Sequence, residues 1–146
     1  MKITVCVASD LNEYDLTALL HQSMAEGYRH ISRLVNDYAD DSNRFDRLGE
    51  ALFVAIRSGS VIAVGGLNME VEGDIRTGRV RRVYVARDCR RLGAGRLLME
   101  AIIDFARLNT RILTLRTSNP AADLFYRSLG FEPESTGERI THRLLL

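Results

Sequence analysis

The chain alternates between short apolar runs and amphipathic stretches, and this rhythm divides it into elements. Lys2 to Ala8 is short, apolar and β-branched, the pattern of a first strand. Ser9 and Asp10 are cap-type residues, and a helix follows from about Asp15, with Leu16, Leu19, Leu20 and Met24 on one face. Gly27 interrupts it. A second helix runs from about Tyr28 to Tyr38 with the stripe Ile31, Leu34, Val35 and Tyr38, and Asp40 to Asn43 reads as a loop. Ala51 to Ile56 is a buried strand, Arg57-Ser58-Gly59-Ser60 a turn, and Val61 to Val71 the hairpin partner. Gly65-Gly66 inside that partner predicts a bulge or a close backbone approach. After a turn at Glu72-Gly73-Asp74, Gly78 to Val85 is the next strand. Gly93 to about Arg107 is a helix whose core face holds Leu97, Leu98, Ala101, Ile102 and Phe105. Arg111 to Arg116 is a strand. Asn119 and Pro120 cap and open a last helix that ends near Gly130, and Arg139 to Leu146 is a final strand. Helices and strands in this order predict an α+β domain, one sheet with helices packed on it.

Composition narrows the class only a little. The 146 residues, 46% hydrophobic and 27% charged, fit one domain, 1–146, with enough length for a real core. A net charge of +1 gives no global attraction to nucleic acid or to an anionic membrane, so any basic site must be local. Lys2 is the only lysine, so phosphate contacts would fall to guanidinium forks. Cys6 and Cys89 form neither a disulfide framework nor a metal pair, and no metal site is expected. The start lacks the pattern of a signal peptide and no apolar run approaches ~20 residues, so the expected compartment is the cytoplasm.

The chemistry concentrates where the apolar run Val80 to Val85 leads into Arg90-Arg91-Leu92-Gly93-Ala94-Gly95-Arg96 and a helix. The first amides of a helix lack internal acceptors and carry the positive end of its dipole, and glycine lets them approach a phosphate. A Walker loop is excluded, because Gly95 is followed by Arg96-Leu97 rather than Lys-Ser/Thr. A dinucleotide fingerprint is excluded because Leu98 stands where the third glycine belongs.

Arg90, Gly93 and Gly95 resemble the Arg/Gln-x-x-Gly-x-Gly/Ala signature of the GCN5-related N-acetyltransferases (GNAT). A second segment, Asn119-Pro120-Ala121-Ala122-Asp123-Leu124-Phe125-Tyr126-Arg127-Ser128-Leu129-Gly130-Phe131, resembles that family's Asn-x-x-Ala…Tyr-x-x-x-Gly-Phe motif. The close resemblance covers about Gly78 to Phe131. It implies the acyl-CoA N-acyltransferase fold: a central mixed, mostly antiparallel sheet with a splayed V-shaped cleft and helices on both faces. It also implies acetyl-CoA as co-substrate and direct transfer to a primary amine of a small molecule or peptide, with no metal. Arg90, Arg91, Leu92, Gly93, Ala94, Gly95 and Arg96 would hold the pyrophosphate, and Val83, Tyr84 and Val85 would receive the pantetheine arm and thioester. Asn119 would cap its helix and touch the arm. Tyr126 would protonate the leaving thiolate.

The proton acceptor stays open. Many relatives carry a glutamate where this chain has Arg79. Glu70 and Glu72 on the preceding strand are candidate substitutes, Glu70 the preferred one, beside solvated hairpin-end charges and a water chain. Cys89 reads as a structural thiol rather than an acetyl carrier, and His21, His30 and His142 read as surface or helix residues, with His30 on a segment that lines the acceptor site in relatives. That acceptor site should draw on Tyr28 to Arg47, whose arginines suit an acceptor bearing a carboxylate or phosphate; the other reading of the stretch is a solvated helix face with Asp37, Asp40, Asp41 and Asp46 as balancing charges. The alternatives are a non-catalytic acyl-CoA-binding module and transfer of another acyl group. No nucleic-acid or membrane partner is expected, and the sheet edges are compatible with a homodimer.

Overall fold

The computed structural model describes residues 2–135, 137 and 139–146, and of Glu72 only the backbone, so that candidate carboxylate lies outside the described side chains. Seven strands form one sheet in the order β1-β2-β3-β4-β5-β7-β6. They are β1 (Ile3–Val7), β2 (Ala51–Arg57), β3 (Ser60–Glu72), β4 (Ile75–Val85), β5 (Ile112–Leu115), β6 (Glu132–Pro133) and β7 (His142–Leu145). The helices are α1 (Thr17–Ala25), α2 (His30–Ala39), α3 (Ala94–Ala106) and α4 (Pro120–Ser128). The β4–β5 pair is parallel and every other pair antiparallel, which makes the domain the expected α+β fold.

Both faces of the sheet are covered, and the two adjacent glycines show how closely the cover approaches. Neighbouring strand residues point to opposite faces. A methyl group on Gly65 would lie 3.2 Å from Leu98 and Ile102 of α3. One on Gly66 would lie 2.4 Å from the ring of Phe45, in the loop between α2 and β2. Both glycines are therefore places of close approach, as their position in an otherwise apolar strand predicts. The core runs through Leu52, Val54, Val64, Leu67, Leu98, Ile102 and Leu113, all essentially without solvent exposure.

Local chemistry sets most boundaries. Asn119 Oδ1 accepts from the amide of Ala121 and Pro120 is the first helical residue, as predicted for α4. Asp10 instead caps a single 3-10 turn, Leu11–Glu13, through the Asn12 amide, and α1 begins only at Thr17. β4 starts at Ile75, earlier than the Gly78 expected, because its polar residues still pair with β3 from Glu72↔Ile75 onward. The final strand is shorter than Arg139 to Leu146 and is joined by the two-residue β6, which the sequence pattern missed. Leu97, in the first turn of α3, and Met24, in the last turn of α1, are 43% and 58% exposed rather than on the core face that the periodicity predicts.

Candidate functional site

β4 and β5 pair only at Gly78↔Leu113 and Arg79↔Thr114. Beyond Arg79 they separate, which opens a V-shaped gap with Val83 and Val85 along one arm. A bulge bends that arm. Arg81 pairs with Gly66 and Tyr84 with Val64, so Arg82 and Val83 stand opposite Gly65 alone. Arg82 takes the left-handed conformation there, φ 61°, an uncommon state for a non-glycine residue and one that concentrates at functional sites. At the apex, the buried Thr114 hydroxyl has no hydrogen-bond partner.

The N-terminus of α3 faces the mouth of this gap. Gly93 adopts φ 83°, and no side chain among the described residues caps the helix. The first intrahelical bond runs from the Leu97 amide to the Gly93 carbonyl. The amides of Ala94, Gly95 and Arg96 are thus left for an anion, together with the positive end of the helix dipole. These residues fit a pyrophosphate by their backbone. Their side chains do less than the sequence suggests. Arg90 donates to Glu26 at 2.9 and 2.5 Å and to the Val85 carbonyl at 3.1 Å, and it stacks over Tyr84. Arg96 donates to Ser128 Oγ. Arg91 and Leu92 are exposed, and Cys89 is buried, consistent with a structural thiol. Tyr84 buries its ring against Tyr28 and donates its hydroxyl to Glu26, so it offers a ligand only its backbone.

Across the gap, α4 carries Tyr126. Its ring packs against Phe125, Phe131 and His142. Burial pushes its hydroxyl pKa up to about 12, so the group keeps its proton at neutral pH. His142 is not a surface residue. It is buried in β7, with Nε2 2.6 Å from Asp123 of α4 and Nδ1 2.8 Å from Thr141 Oγ1, and it holds the wall behind Tyr126. No spacing in the sequence signals this pair, because Asp123 and His142 belong to elements joined only in the fold. Asn119 Nδ2 donates to the Tyr28 hydroxyl at 3.3 Å, a link between α4 and the α1–α2 connection.

The candidate bases divide. Arg79 donates to Glu70 Oε1 at 3.4 Å and to the Arg139 carbonyl, while Arg139 bonds both Glu70 oxygens at 3.2 and 3.1 Å. Glu70 is therefore locked between two guanidinium groups. His30 begins α2 with a buried Nδ1 that lacks a partner, and its ring lies 5.5 Å from that of Tyr28. Burial first, then Arg82 and Arg33, hold its pKa below the ordinary 6.5. A cavity of about 430 Å³ opens between the α2–β2 loop and the sheet, reaching from Glu70 to Arg82. Among the described residues no cluster of His, Cys, Asp and Glu could hold a metal ion, and no helix is long and apolar enough to cross a membrane.

Residues 15–131 match the model of the Acetyltransferase (GNAT) family. A protein from Exiguobacterium sp. 255-15, assigned as an acetyltransferase, is 38% identical and superimposes with a TM-score of 0.89 over 99% of this chain and 94% of its own. An acetyltransferase from Streptococcus agalactiae 2603 shares the fold at 18% identity, with a TM-score of 0.78 over 99% and 98% of the two chains. So does glucosamine-6-phosphate N-acetyltransferase from Arabidopsis thaliana, at 14% identity and a TM-score of 0.68 over 94% and 96%. No curated protein sequence matches the chain.

Proposed function

The chain belongs to the GNAT acetyltransferase family, and on that footing we propose that it transfers an acetyl group from acetyl-CoA directly to a primary amine. The observation that carries this reading is the parting of β4 from β5 directly beside an uncapped helix N-terminus. Bound there, acetyl-CoA would supply the acetyl group as a thioester. The amides of Ala94, Gly95 and Arg96 would hold its pyrophosphate, and the free edge of β4 at Val83 and Val85 would align its arm. Arg90 serves this site indirectly, by tying the end of β4 to Glu26.

Tyr126 is the proton donor in this reading. Its buried hydroxyl stays protonated well above neutral pH, and it can give that proton to a departing thiolate. The amine must lose a proton too. Glu70, engaged by Arg79 and Arg139, is a poor acceptor. His30 is a poor acceptor as well, because burial and then Arg82 and Arg33 disfavour its charged form, which leaves water as the route for that proton.

The test combines binding with turnover. Acetyl-CoA at ~100 times its dissociation constant should raise stability by about 2.7 kcal/mol in a thermal-shift assay. A panel of amines assayed by free-thiol release should reveal acceptors, and Tyr126→Phe should keep acetyl-CoA binding while turnover falls ~100-fold or more. No stabilisation by acetyl-CoA would overturn the reading, and full turnover in the variant would remove Tyr126 as the acid. The arginine at position 79 favours a second reading, a module that binds acyl-CoA without transfer. Binding with no thiol release from any amine would select it.

A further inference from the structure

The cavity beside β4 is lined by both arginines and acids, and most of these charged groups already have partners. Of the arginines that line it, Arg44 pairs with Asp41 and Arg82 with Asp37 at 3.7 Å. Glu70 is held by Arg79 and Arg139. Glu50 is consumed by the amides of Arg47 and Met69 and by Asn68. Arg81 is different: it is half-buried and lines the cavity, yet no acid among the described side chains pairs with it. Arg47 is likewise unpaired but exposed on the rim, as is Asp46. Desolvation, and then Arg81 among their neighbours, press the guanidinium pKa values of Arg79 and Arg82 downward, the mark of like charges crowded in a partly dry place. A guanidinium withdrawn from water without a partner is costly, and a planar anion that accepts two hydrogen bonds relieves that cost.

Resting on the acetyl-transfer reading, we infer that this cavity binds the acceptor through an anionic group, a carboxylate or a phosphate, gripped by Arg81. Arg81 is the last regularly paired residue of β4 before the bulge that carries Arg82 and Val83. An anion at Arg81 therefore presents an amine a few bonds away to the gap between β4 and β5. The volume of about 430 Å³ suits a small molecule. Neighbouring Arg82, tied to Asp37, fixes the wall of the cavity next to the bulge. The acceptor class is an amine with an anion on a short tether, such as an amino acid or an aminoalkyl phosphate.

The test offers matched pairs of amines to the full chain, with CoA bound for calorimetry and with acetyl-CoA for the acetylation rate. One arm sets an ω-amino acid against the diamine of the same length, and the other sets phosphoethanolamine against ethanolamine. The anionic member of at least one pair should bind roughly ten- to hundredfold more tightly, and the arm that responds identifies the anion. Arg81→Gln should erase that preference and raise KM with little change in kcat, and Arg81→Lys should restore part of it. Equal affinity within both pairs, or a preference that survives Arg81→Gln, overturns the inference. Arg81-dependent binding without acetylation upholds the anion site and instead removes the acetyl-transfer reading.

Discussion

Glu26 offers a sharp test, because one carboxylate joins the end of α1 to the end of β4 and to the start of the anion loop. It accepts from Arg90 at 2.9 and 2.5 Å and from the Tyr84 hydroxyl. The Arg90 bonds first, and then that of Tyr84, lower its pKa from the ordinary 4.5 to about 2. At about 1.4 kcal/mol per pH unit, the undiscounted effect is ~3 kcal/mol. The side chains of Glu26 and Arg90 remain 22% and 40% exposed, and solvent screening reduces the expected contribution to about 1–2 kcal/mol. The sign follows from the direction of the shift. A carboxyl lowered in the folded state stabilises the fold above its ordinary pKa and loses that effect as pH falls from about 4.5 towards 2. Glu26→Gln should therefore cost about 1–2 kcal/mol in urea unfolding at pH 7, and the gap from wild type should close on acidification. Arg90→Gln should be non-additive with it in a double-mutant cycle. Equal stability at pH 7, or a deficit that does not change with pH, would refute the ion-pair account.

Three further outcomes follow from the geometry. Gly66→Ala pushes a methyl to 2.4 Å from the Phe45 ring and should lower unfolding free energy by about 1–3 kcal/mol, a loss that Phe45→Leu should partly relieve. Gly93→Ala meets no atom within 4 Å but must hold φ near 83°, so strain alone should cost about 1–2 kcal/mol in the same assay; a neutral result would show the turn can relax. His30 should titrate below 6.5 by NMR, and stability should fall as the pH drops through and below that value, with His30→Asn flattening the profile.

Much of the scaffold was legible in the chain. The β2–β3 hairpin follows from two apolar runs around Ser58-Gly59, and α4 from Asn119-Pro120, because each depends on neighbours in sequence. The glycine pair marked the bulge for the same reason, although only the fold shows that Arg82 on the opposite strand bears the strained conformation. Polar contacts were not legible. Arg90 reads as a phosphate ligand until its partner Glu26, 64 positions away, is brought beside it. Glu70 reads as a free base until Arg139 closes on it from the other end of the chain. His142 looks incidental in sequence, yet the docking of α4 against β7 makes it a buried partner of Asp123. Periodicity reports which face is apolar; it carries no information on which distant charge will meet another.

The seam between β4 and β5 has a mechanical consequence. Two residue pairs stitch β1–β4 to the small sheet of β5, β7 and β6, reinforced near the apex by Thr110 on the Arg76 carbonyl and by Arg139 with Arg79 and Glu70, while Arg96–Ser128 and Tyr28–Asn119 act as clasps further along. The strand pairing itself lies wholly at the apex, so a scissor motion of the two leaves would turn about Gly78 and Arg79 and strain the side-chain clasps further along. A ligand that lays its own amides along Val83 and Val85 acts as a surrogate strand, closing the scissors from within. Amide exchange in β5 and α4 should then be slowest when the gap is filled, so that occupancy and rigidity become one measurement.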